Sequence, residues 1–204
     1  MASQIAHIIY AKKYFEKHPA PLAYQEEFML GCVFPDIRRI DENIKRKDTH
    51  LCFESCDLNF EGLTPFQAGW KFHTYCDMRR EDILKKYDFY SIRGTADFWG
   101  QAAKGLEDEI LYEKYNNWEK LVNYFNNVPE IEISASISRE TFQLWYAILA
   151  KYIEKKPDSK TAHIFLSKQP SFVDIADDII QSVDKLRKNE KVIELLEKVS
   201  EEII

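Results

Sequence analysis

An imidazole and a carboxylate, His73 and Asp77, stand four residues apart in the stretch Gly69-Trp70-Lys71-Phe72-His73-Thr74-Tyr75-Cys76-Asp77. On an α-helix that spacing puts both on one face. The same face carries Phe66, Trp70 and Leu84, so two polar groups interrupt an apolar stripe. Buried without partners, such groups cost several kcal/mol, so each needs one. Two solutions meet that need. One is a direct His–Asp hydrogen bond. The other is a metal ion, for which imidazole and carboxylate at i and i+4 form a common chelating pair.

Other polar residues lie beside apolar runs. Asp36 follows Pro35 at the end of an apolar segment and, taken alone, reads as a turn aspartate. His50 stands next to Leu51 and Phe53. His7 shares a side with Ala11 and Phe15, a setting that more often holds a core histidine than a ligand. The run Lys104-Gly105-Leu106-Glu107-Asp108-Glu109 reads as the solvated face of a helix, the alternative being that Glu107 or Asp108 turns inward. Cys32, Cys52, Cys56 and Cys76 lack the paired spacing of a zinc ribbon or finger and read as thiols.

These residues must be positioned by helices. Thr64-Pro65-Phe66-Gln67 has a capping threonine, a proline suited to the first helical position and a glutamine that completes a capping box. It predicts a helix to about Tyr87, closed by Lys85 and Lys86 against the negative end of the dipole. Helices are further predicted over 3–17, stopping before Pro19, and over 22–33, stopping before Pro35. Four more are predicted over 95–115, 118–127, 138–155 and 171–187. The helix over 138–155 carries a stripe of Leu144, Trp145, Ile148, Leu149 and Tyr152. A last helix bears Val192, Leu195, Leu196, Val199 and Ile203. Residues 131–137 alternate like a strand, but one strand makes no sheet, so they read as an extended connector. Residues 38–48 and 155–160 are charged and read as exposed loops. The expectation is an all-α, multi-helix single domain over 1–204 with an internal metal site.

Composition agrees with a globular chain. It has 204 residues, 45% hydrophobic and 30% charged, enough for one domain with a real core. Only 6 glycines and 7 prolines argue against a fold built on many tight turns. The net charge of -6 disfavours a broad nucleic-acid surface, though a local cluster or a metal can still hold a small anion. No run reaches the roughly 20 apolar residues of a membrane span, and the apolar stretch near the start is short and lacks a basic leader. A cytosolic (cytoplasmic) protein is expected.

In chain order stand His7, the run Phe28-Met29-Leu30-Gly31-Cys32-Val33-Phe34-Pro35-Asp36, His50, and Ala68-Gly69 followed by His73 and Asp77. This ordered set, covering roughly the first eighty residues, resembles the helical zinc-dependent phospholipase C family. The fold of that family is shared with single-strand-specific zinc nucleases of fungi and plants. The resemblance implies a metal site of Asp36, His50, His73 and Asp77. It implies that His7 helps bind a second metal bridged by Asp77. It further implies a metal-dependent hydrolase that cleaves a phosphate ester or phosphodiester with a metal-activated water, Asp36 accepting the proton. The cofactor would be a divalent metal, zinc first, with iron, manganese or nickel compatible with such ligands. The partner would be a small-molecule phosphate ester. Two features depart from the family. Its members use a processed N-terminal residue as a ligand, and their later histidines find no match before His163. Arg38, Arg39, Arg79 and Arg80 read as surface charges or as phosphate ligands. The rival readings are a helical interaction domain with a structural metal or none, and an HD-type phosphohydrolase. The latter needs adjacent His and Asp, whereas Asp48 and His50 are separated and in the reverse order.

Overall fold

The computed structural model describes residues 3–50, 53, 55–92, 98–131, 133 and 137–204. Among them the fold is all-helical in one domain, with no strand. The helices are α1 (Gln4–Lys17), α2 (Leu22–Val33), α3 (Arg46–His50), α4 (Pro65–Lys86), α5 (Trp99–Leu111), α6 (Trp118–Asn126), α7 (Arg139–Ile153), α8 (Ser159–Leu166), α9 (Ala176–Leu186) and α10 (Glu190–Glu202). No helix among the described residues is long and apolar enough to cross a membrane.

Helix α4 begins as its cap predicts. The Thr64 hydroxyl accepts from the Gln67 amide at 3.2 Å, and the Gln67 side chain accepts in return from the Thr64 amide at 3.1 Å. Its strongest contact is with α2. Two glycines make that contact close. A Cβ on Gly31 would lie 2.0 Å from the Phe66 carbonyl oxygen, and one on Gly69 would lie 1.9 Å from that of Phe28. Only hydrogen side chains allow the two backbones to meet there. Aromatic rings of Phe28, Phe72 and Tyr14 close the interface on one side, and α7 backs it on the other. There Trp145 donates to the Val33 carbonyl at 3.0 Å and Tyr146 to that of Leu30 at 2.8 Å.

Pro35 ends α2 as expected, but the chain does not leave as a loop. It tightens into a 3-10 helix over Phe34–Arg39. Three residues per turn place Asp36 and Arg39 on one side. The stretch read as an exposed charged loop therefore contains buried Arg39 and Ile44, and its end forms α3, whose His50 is buried. The Trp70 indole donates to the Thr49 carbonyl and pins α3 against α4.

The second half shows two further differences from expectation. Asp158 caps α8 by accepting from the Thr161 amide at 2.7 Å, so the charged stretch before it is a helix start and not only a loop. The helix expected over 171–187 opens with a 3-10 turn, Val173–Ile175, before α9. On α7, Trp145, Leu149 and Tyr152 are buried as expected, Ile148 is half-buried and Leu144 exposed, and Phe142, Tyr146 and Ile153 complete the buried face. The connector expected over 131–137 lies partly outside the described residues, as do Cys52 and the expected start of the helix over 95–115.

Candidate metal centre

Four elements meet behind the α2–α4 crossing, and each delivers a polar side chain. Helix α1 brings His7, the 3-10 turn Asp36, α3 His50, and α4 both His73 and Asp77. All five are buried, the most exposed being Asp77 at 7%. The structure thus brings together every residue singled out from the sequence for this site. Two overlapping groups have donor atoms within 4.8 Å of one another: Asp36 with His50 and His73, and His7 with His73 and Asp77.

The distances inside the cluster are unusual for hydrogen bonds. His73 Nε2 lies 3.4 Å from His50 Nε2 and 3.6 Å from Asp77 Oδ2. His50 Nε2 is 4.0 Å from the same oxygen, and His7 Nε2 is 3.4 Å from Asp77 Oδ1. Good N–H···O bonds span roughly 2.7–3.2 Å. The direct His73–Asp77 bond, the simpler of the two solutions read from the spacing, is therefore not made. Ligands around a tetrahedral ion at about 2.0–2.1 Å stand about 3.3–3.4 Å apart. The side chains crowd like ligands of a shared ion more than like partners of each other.

The surroundings prepare these atoms. His73 Nδ1 lies 2.7 Å from the Cys32 carbonyl oxygen, which can only accept, so Nδ1 carries the proton and Nε2 the lone pair. Burial pushes His73 well below the usual histidine range, neighbouring His7 adding to this and Asp77 opposing it. Burial likewise takes His50 down to about 4, against the pull of Asp36 and Asp77. Both rings are neutral near pH 7, as ligands must be. Burial would raise Asp77, but His73 and His7 hold it well below the carboxylate range. His7 stacks on His73 with ring centres 3.9 Å apart, and its Nδ1 is buried with no hydrogen-bond partner among the described residues. Asp77 faces both ways, Oδ1 toward His7 and Oδ2 toward His50 and His73.

Asp36 is gripped more tightly. Gln4 Nε2 donates to its Oδ2 at 2.6 Å, and Arg39 Nε lies 2.8 Å from its Oδ1. Burial raises this carboxyl, yet Arg39 and then His73 outweigh it and keep it charged. An oxygen pair so engaged suits a ligand better than a proton acceptor, which counts against the base role that the resemblance implied for Asp36.

Sequence reasoning missed the residues around the ligands. Gln4 lies on the same face of α1 as His7, one turn away, and that spacing was the available signal. The acidic run of α5 is not a solvated face. Lys104, Glu107 and Asp108 are buried because α1, α9 and α10 pack against α5. Glu107 accepts from Arg80 Nε at 2.8 Å and from the Tyr10 hydroxyl. Asp108 accepts from Tyr152 at 2.8 Å, from Ser3 at 2.5 Å and from the Ala6 amide at 3.1 Å. Arg39 and Arg80 are therefore buried partners of carboxylates and not surface charges, whereas Arg79 is exposed. Comparison with protein-family models, with curated proteins and with solved structures finds no match for this chain.

Proposed function

We propose that the protein is a metal-dependent hydrolase of phosphate esters, its ion held by Asp36, His50, His73 and Asp77, with a second position at His7 and Asp77. The observation that carries this reading is the crowding of imidazoles and carboxylates at 3.4–4.0 Å with no hydrogen bond of normal length between them. Mixed nitrogen and oxygen ligands favour zinc, with iron, manganese and nickel as alternatives. A divalent ion bound there would acidify a water and polarise a phosphoryl oxygen. His73 presents Nε2 because Cys32 holds Nδ1, and Gln4 and Arg39 keep Asp36 ionised and oriented. The phosphate-ester class, mono- or diester, rests on the resemblance of the first eighty residues or so. A cytosolic setting belongs to the same reading and fits the free thiols of Cys32, Cys56 and Cys76.

A structural ion is the second reading, favoured by the burial of all five side chains, since structural sites are closed and catalytic ones keep an open position. Metal analysis of untagged protein, followed by chromogenic phosphomonoesters and phosphodiesters with added zinc, manganese, nickel or iron, separates the two. Metal with turnover supports the hydrolase, and metal without turnover supports the structural ion. Absence of metal under every loading condition removes both. His73→Ala is expected to lose metal and turnover together. Full metal content in that variant would show that the cluster is not the site.

A further inference from the structure

Beside Asp36, away from the histidines, lies a cavity of about 50 Å³ between α1, α5, α7, α8 and α9. Phe165 and Ile179 form part of its apolar wall, and Gln4, Arg39, Lys104, Asp108 and Gln169 line it with polar groups. At roughly 10–15 Å³ per water, the space suits about four waters, or one tetrahedral oxyanion with its four oxygens.

Among the described residues, three polar atoms along this cavity are buried with neither a hydrogen bond nor an ion pair, Lys104 Nζ, Gln4 Oε1 and Gln169 Oε1, while Arg39 Nε makes no hydrogen bond but lies 2.8 Å from Asp36 Oδ1. Lys104 is 8% exposed, Gln4 4% and Gln169 0%. The two amide oxygens are assigned by chemistry. Gln4 Nε2 donates to the Asp36 carboxylate and Gln169 Nε2 to the Phe165 carbonyl, which only accept. The nearby carboxylates do not serve Lys104. Asp36 is engaged by Gln4 and Arg39, and Asp108 by Ser3, Ala6 and Tyr152. Arg39 is bound to Asp36 and lies over the Phe172 ring at 5.3 Å. A buried amine without an acceptor, which burial and then Arg39 lower to about 7, and two unpaired buried acceptors are each costly. A ligand that satisfies all three must carry negative charge, accept from an ammonium and donate hydroxyl protons. Dihydrogenphosphate, with one negative charge and two hydroxyl protons, does so. Sulfate offers acceptors only, and water offers no charge.

We propose that this cavity is a binding site for dihydrogenphosphate, with Lys104 as its counter-ion and the amide oxygens of Gln4 and Gln169 each accepting one of its two hydroxyl protons. The site does not require the metal reading and goes beyond it.

The test is thermal shift and calorimetric titration of chelator-stripped full-length protein at constant ionic strength with phosphate, sulfate and phenyl phosphate. Phosphate is expected to raise the Tm, and sulfate to do so far less. Lys104→Met is expected to fold at least as stably as the parent, having lost a buried amine without an acceptor, and to bind phosphate about tenfold more weakly or worse. Gln169→Leu, which leaves only Gln4 Oε1 to accept a hydroxyl proton, is expected to reduce the preference for phosphate over sulfate and gives an independent reading should Lys104→Met fail to fold. Phenyl phosphate, with one hydroxyl proton at most, leaves an amide oxygen unpaired and is expected to respond less than phosphate. It is overturned if sulfate matches phosphate, if Lys104→Met responds like the parent, or if phosphate binds only to metal-loaded protein. That last result would leave the hydrolase reading intact. Phosphate binding by a protein that never takes up metal would do the opposite.

Discussion

Gln4 shows how much of the candidate centre depends on a residue that is not itself a ligand. Its amide holds one oxygen of Asp36 at 2.6 Å while Arg39 holds the other. Removing a group that orients a ligand commonly costs 10–100-fold, by rough precedent, in metal affinity. Gln4→Leu is therefore expected to weaken zinc binding by about that factor while leaving the helical circular-dichroism spectrum unchanged. An unaltered Kd in a competition titration would exclude Asp36 from the metal shell. At this scale the sequence was readable only in part. The i and i+4 spacing exposed His73 and Asp77. Asp36, His50 and His7 each looked structural alone and became candidates through their order along the chain. Lys104, Glu107 and Asp108 stayed hidden because charges on a helix read as solvated unless the helices that will cover them are known. Three elements far away in sequence do that covering.

At the scale of elements, α4 was legible almost to the residue, since its cap is local chemistry. The boundaries of α2 matched too, Pro35 acting as a fixed stop. α8 was missed because its cap, Asp158, stands within a charged stretch that periodicity alone assigns to a loop. The 3-10 turn was missed because its stability is tertiary. The α2–α4 crossing gives the sharpest prediction here. In an isolated helix Gly69→Ala would gain about 1 kcal/mol in propensity. Here the new methyl would sit 1.9 Å from the Phe28 carbonyl oxygen, so the helices must separate. We expect a net loss of about 3 kcal/mol in urea unfolding, near the upper end of overpacking costs. The His73–Cys32 hydrogen bond spans the same interface, so metal affinity should fall with stability. A variant as stable as the parent would show that the crossing is looser than described.

At the scale of the molecule, the all-helical class followed from amphipathic periodicity with few glycines and prolines, but the packing of α1 and α9 over α5 did not. That packing has a pH signature. Burial raises Asp108 to about 7, although Ser3, Tyr152 and the Ala6 amide stabilise its charged form. A carboxyl raised in the folded state binds more protons there than in the unfolded chain, whose ordinary value is near 4. Its contribution is thus complete below about pH 4 and is lost as pH rises toward about 7. His50, lowered to about 4, works the other way, adding stability as pH rises from about 4 to about 6.5. Whole-protein curves mix the two, so the difference between Asp108→Asn and the parent is the informative quantity. It should move in favour of the variant by up to about 1 kcal/mol per pH unit between pH 4 and 7. A difference independent of pH would mean that Asp108 is already ionised throughout that range.

The forked carboxylate of Asp77 has a thermodynamic consequence. On the proposed metal reading, a single side chain reaching two ion positions would make their occupancies one linked equilibrium, in which whichever fills first fixes the rotamer the other must accept. Titration with zinc should then resolve two unequal steps, not a pair of identical ones. His7→Ala should delete one step and keep the other, while Asp77→Asn should disturb both at once. Two equal and independent steps surviving in Asp77→Asn would mean that this carboxylate joins nothing.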